Sequence, residues 1–188
     1  MKKKFENVYQ FKITLDDIKP KIWRRIQVPE TYTFEELHRV IQKAMGWFDY
    51  HLHEYEIKEP ESLTKVQIGI PDEMSEEVLE ENKEKIKDYF TKENPNAEYT
   101  YDFGDSWEHT IKLEKVLPRD EKVKYSICIA GERACPPEDC GGVWGYIDLL
   151  EIIRNKDDER HDEMMEWLGE EFDPEYFKPE ELIFTDSK

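Results

Sequence analysis

Polar and apolar residues alternate over residues 8–15 and again over 22–28, so Tyr9, Phe11, Ile13 and Leu15 fall on one face. This period of two predicts two strands, and Asp16-Asp17-Ile18-Lys19-Pro20 reads as the turn that joins them into an antiparallel hairpin. The period then changes. Thr33 and Glu36 make a capping box, Phe34, Leu37, Val40, Ile41 and Ala44 recur at helical spacing, and Gly46 supplies a stop, which predicts a helix over 33–45. Alternation returns over 50–58 and sets His51, His53, Tyr55 and Ile57 on one side of a third strand.

From 59 to about 97 the chain is charged and poor in apolar residues, and the stretch from about 74 to 90 predicts a solvent-facing helix on an acidic excursion. Strands follow over 99–103 and 107–116. A three-residue loop, Gly104-Asp105-Ser106, pairs Phe103 with Trp107, Tyr101 with His109 and Tyr99 with Ile111. That register buries one coherent aromatic face, with His109 on the core side and Asp102 turned away from it. A short strand over 125–130, helices over 144–155 and 161–168 with Gly169 as a stop, and a last short helix opened by Asp173-Pro174 complete the reading. The expected fold is α+β, a single domain over 1–188. An antiparallel or mixed sheet with a ubiquitin-like ββαβ opening packs against helices, and the C-terminal part over about 144–182 is helical.

Composition narrows the function classes. With 188 residues, 38% of them hydrophobic, the chain can bury a substantial core. Its formal charge of -18 repels nucleic-acid phosphate, so nucleic acid is an unlikely class of partner. No window approaches a membrane span, and three cysteines, an odd number, suit reduced thiols better than a disulfide scaffold. The expectation is a cytoplasmic protein without a membrane partner.

The chemistry-bearing residues concentrate in a few places. Cys128, Cys135 and Cys140 lack the close pairing of zinc knuckles, yet His51 and His53 on one strand side and His109 on another strand can complete a nitrogen and sulfur ligand set; zinc is the candidate cofactor. The bland alternative is small buried thiols and hydrogen-bonded core histidines. Asp102, Asp105, Glu138 and Asp139 lie in or beside turns, where carboxylates can gather on Mg2+ or Mn2+, although such residues commonly cap turns. A reactive Cys135 thiolate is disfavoured by Glu132, Glu138 and Asp139 around it.

Five segments carry a resemblance: F-K-I-T-L-D-D-I-K-P-K-I-W-R-R-I, H-L-H-E-Y, Y-D-F-G-D-S-W-E-H, C-P-P-E-D-C-G-G-V-W-G-Y and F-D-P-E-Y-F. In this order, over about 8–177, they are similar to the plasmid pRiA ORF-three-like family. The resemblance implies a compact α+β domain and no established activity; some members bear a TnpR-type resolvase label. That label fails on chemistry, since no serine precedes Ser62 and few basic residues lie near that serine. The leading expectation is a binding or interaction module for an unknown protein or small-molecule ligand. Its site is expected among Tyr101, Asp102, Asp105, Trp107, Glu138, Asp139 and Trp144, beside the H-L-H strand. A metal-dependent hydrolase is the alternative.

Overall fold

The computed structural model describes residues 5–62, 64–71, 77–169 and 172–184. Eight strands form one sheet in the order β5-β4-β3-β6-β7-β1-β2-β8. The opening hairpin is β1 (Asn7–Leu15) and β2 (Ile22–Pro29), paired antiparallel from Val8 opposite Pro29 to Leu15 opposite Ile22. Phe11, Ile13, Leu15, Ile22, Ile26 and Val28 are buried on the core side. On the other face Arg25 grips Glu114 through Nε at 2.6 Å and Nη2 at 2.9 Å, and Gln10 and Gln27 extend that polar ladder.

Helix α1 (Phe34–Met45) has the predicted capping box: the Thr33 hydroxyl accepts from the Glu36 amide at 3.2 Å and Glu36 accepts from the Thr33 amide at 2.9 Å. Gly46 ends the helix in the left-handed region at φ +93°. Its C-terminal carbonyls meet a buried cation. Arg24 donates to Ala44 O at 2.8 Å and to Glu132 O at 3.0 Å, tying α1 to the sheet edge, and lies over the Phe177 ring.

Strand β3 (His53–Lys58) begins three residues later than the alternation predicts, leaving His51 and Leu52 ahead of it. The ββαβ order is present, but β6 and β7 separate β3 from β1. The charged excursion is not a helix where it is described. Strand β4 (Lys65–Gly69) pairs with β3, β5 (Leu79–Glu80) runs parallel to β4, and only α2 (Ile86–Tyr89) is helical. Ile86, Tyr89 and Phe90 are core residues that pack on Phe34 and Phe11, so burial overrides the helix propensity of the charged run. The first part of the expected helix, 74–76, lies outside the described residues.

Strands β6 (Asn96–Tyr101) and β7 (Trp107–Pro118) pair Tyr101 with Trp107 and Tyr99 with His109, a register two residues from the expected one. The loop is 102–106, closed by Ser106 N–H to Asp102 O at 2.6 Å. A shift of two keeps every side chain on its face, so Tyr99, Tyr101, Trp107, His109 and Ile111 all enter the core, whereas Phe103 is exposed. Asp102 is enclosed, contrary to expectation, because the first loop position turns it back at φ +58°.

Strand β8 (Ile127–Glu132) forms the outer edge beyond β2. Helices α3 (Gly142–Arg154) and α4 (His161–Leu168) pack on each other, and Tyr146, Leu149 and Leu150 of α3 join the main core. Asp173-Pro174 opens a turn, with Asp173 accepting from the Glu175 and Tyr176 amides, and not the expected helix. Among the described residues no helix is long and apolar enough to cross a membrane.

Candidate functional site

Three segments meet at one end of the β3-β6-β7 strands: residues 47–52 between α1 and β3, the 102–106 loop, and the 135–142 turn between β8 and α3. Glu138 is the clasp. One of its oxygens accepts from the Tyr101 hydroxyl at 2.5 Å and the other from the Phe48 amide at 3.0 Å. The same hydroxyl accepts from the Tyr50 amide at 3.1 Å, and Trp47 Nε1 donates to Pro136 O at 2.9 Å. Burial and the Glu138 carboxylate raise the Tyr101 pKa, so the phenol stays a donor. A third link, Gly141 N–H to Asp105 Oδ2 at 3.2 Å, closes the 135–142 turn onto the 102–106 loop. That approach needs glycine at 142: a Cβ there would sit 2.5 Å from Asp105 O, and its φ is +67°.

This framework places His51, Asp102 and Asp139 together. His51 Nε2 lies 3.1 Å from Asp139 Oδ1 and 3.6 Å from Asp102 Oδ2. Asp102 Oδ1 is occupied by the Gly104 amide at 2.9 Å, which leaves Oδ2 for the histidine side.

Beneath lies a second histidine cluster that the alternation did not single out. His38 from α1 and His53 from β3 stack with ring centroids 3.4 Å apart and planes 4° from parallel. His38 contacts the Tyr99 hydroxyl at 2.8 Å through Nδ1 and Asp49 at 2.8 Å through Nε2; His53 Nε2 meets Glu81 at 2.5 Å. Burial, then the facing His53, push His38 down to about 4, so it is neutral, donating to Asp49 and accepting from Tyr99. His38 and Asp49 with His53 bring three ligand atoms within 4.8 Å of one another, but the rings fit no single ion. An ion bound at ~2.0–2.1 Å lies in the plane of each imidazole it ligates, and two parallel planes cannot share one.

The remaining site residues are spread out. His109 is a buried core residue pushed down to about 4 by burial, its Nδ1 donating to Tyr99 O at 3.2 Å. Trp107 is wholly enclosed under Trp47 and supports the site from below, whereas Trp144 stands exposed on α3. Cys128, on β8, donates to Ala130 O. Burial pushes the Cys135 and Cys140 thiols up to about 12, and burial also raises Cys128, which removes a ready thiolate at neutral pH. Among the described residues no group that gathers metal-ligand atoms includes a cysteine, so the expected set of three histidines and three thiols is not brought together.

Alongside the His51 cluster runs a groove of about 640 Å³. Its walls are Trp47, Phe48 and Tyr50 on one side and Trp167, Leu168 and Phe172 on the other, with Pro136, Pro137, Cys135, Glu138 and Asp139 between them. Phe48 and Tyr50 stack at 5.6 Å and are 71% and 75% exposed, an arrangement a lone surface aromatic would not adopt. The aromatic density of G-W-F-D-Y-H after the helix stop was the signal available for this wall. A separate cleft of about 540 Å³, between α1 and residues 119–126, contains none of the candidate site residues.

The family described as Plasmid pRiA4b ORF-3-like protein matches residues 7–181. An uncharacterized protein, y4hQ, of Sinorhizobium fredii (strain NBRC 101917 / NGR234) is 35% identical over 165 residues, 87% of this chain and 81% of that protein. The crystal structure of a protein of unknown function, MM3350, from Methanosarcina mazei Go1 superposes with a TM-score of 0.92 at 50% identity, covering 96% of this chain and 100% of that one.

Proposed function

The chain belongs to the Plasmid pRiA4b ORF-3-like family, whose description names no activity, and we propose from the site itself that it is a ligand-binding module for a cationic group carried on an apolar body. The observation that carries this reading is the groove: a volume in the range of small-ligand sites, walled by aromatic and proline side chains, with Glu138 and Asp139 as its charged groups. Exposed aromatic faces attract a cation by about 0.5–2 kcal/mol each as water is displaced, and two carboxylates beside them select against anions. The charge of -18 adds a long-range field that draws such a ligand in.

Intrinsic tryptophan fluorescence tests the reading, because Trp47 and Trp167 line the groove. Titration with benzyltrimethylammonium should quench or shift the emission saturably, and binding should weaken as salt rises. Toluenesulfonate, with a comparable ring and the opposite charge, should not bind. Trp167→Ala should weaken the cation roughly three- to tenfold, the loss of one aromatic wall. Equal binding of both probes, or none of the cation, would overturn the assignment.

A further inference from the structure

We propose that His51, Asp102 and Asp139 bind one divalent transition cation of the Mn2+ or Zn2+ class at the edge of the aromatic groove, which Asp139 also lines. One imidazole nitrogen with two carboxylates is a borderline-to-hard donor set, which suits these cations better than Ca2+ or Cu+. The spacing fits. Bonds of ~2.0–2.2 Å at tetrahedral or octahedral angles set neighbouring donor atoms roughly 3.0–3.6 Å apart. His51 Nε2 stands 3.1 Å from Asp139 Oδ1 and 3.6 Å from Asp102 Oδ2.

A second observation separates this arrangement from a simple ion pair. His51 Nε2 is buried, yet it makes no hydrogen bond, despite the two carboxylates at those distances. A protonated imidazole held as a salt bridge directs its N–H at one oxygen. Here neither oxygen receives a hydrogen bond from the ring. Unpaired buried polar atoms of this kind cost free energy, and an ion would satisfy this one.

Each ligand is fixed by its own local chemistry. Asp102 is 7% exposed, is set at φ +58°, and has Oδ1 held by the Gly104 amide, so Oδ2 has one direction to point. Asp139, at φ +60°, follows the clasped Glu138 and stands at the solvent side with its side chain 68% exposed. The enclosed side is therefore Asp102 with the Nε2 atom of His51, whose side chain is 28% exposed, and the open side retains coordination positions for water or a ligand oxygen. The neighbouring stacked pair, His38 and His53, cannot supply the same site because their planes are parallel.

Isothermal titration of the tag-free, chelator-stripped full chain with ZnCl2 and with MnCl2 tests the assignment. One cation per chain is expected, and His51→Gln and Asp139→Asn should each weaken it by at least about tenfold. Asp139 is exposed, so its variant keeps the fold, which near-ultraviolet circular dichroism verifies. Asp49→Asn, in the other cluster, should leave the affinity unchanged. Absence of one-to-one binding of either cation, affinity retained within tenfold in either site variant, or loss on Asp49→Asn would overturn the proposal.

Discussion

His38 and His109 show how individual side chains set the acid response of this protein. Burial holds both near 4, below the ordinary value of 6.5, so the native state keeps them neutral. Between pH 6.5 and about 4 the unfolded chain takes up protons that the native chain refuses, and the stability present in full above 6.5 is lost as pH falls across that window. For His109, enclosed and bonded to Tyr99 O, the contribution is about 3 kcal/mol. His109→Gln should lower the melting temperature at about pH 7 because it removes a fully packed ring, and should reduce the further drop seen on going to about pH 4.5 because the group that takes up the proton is gone. Equal acid losses in both proteins would show that His109 is not held neutral. Sequence alone did not reveal this role. Alternation correctly set His109 on the core face, but the pairing of Tyr99 with His109, which provides the carbonyl acceptor, depends on the length of the loop.

At the scale of elements, legibility followed the strength of local signals. The β1-β2 hairpin and α1 were readable because alternation, the Thr33–Glu36 box and Gly46 all agree. The β6-β7 register was not, because the left-handed loop positions are Asp102 and Ser106, residues that carry no glycine signal, while Gly104 is not among them. The 77–90 region misled for another reason: its charged residues mask Ile86, Tyr89 and Phe90, whose burial decides the local structure. The 135–142 turn gives a test of how elements build the site. Gly142→Ala forces a Cβ to within 2.5 Å of Asp105 O at an unfavourable φ, so the 135–142 and 102–106 loops must part. Urea denaturation should show a loss of about 1–3 kcal/mol, with weakened probe binding in the groove. A variant as stable and as active in binding as the parent would mean that this close approach does not organise the site.

Across the whole molecule, the H-L-H, Y-D-F-G-D and P-P-E-D segments, distant in sequence, lie against one another at one end of the sheet. Their chemistry could be singled out from residue types; their convergence required the strand order that sets β3 beside β6 and brings the β8–α3 turn over Trp47. The opposing wall comes from the end of α4, with Trp167 and Leu168, and from Phe172 beyond it, where no local pattern marks an exposed aromatic as part of a groove. The location of the groove therefore matters as much as the class of ligand it takes. Two-dimensional amide NMR of the full chain titrated with benzyltrimethylammonium tests both together. Saturable shifts confined to residues 45–52, 135–140, 167–169 and 172 are predicted. Shifts centred on the cleft between α1 and residues 119–126, or no saturable shifts at all, would contradict it.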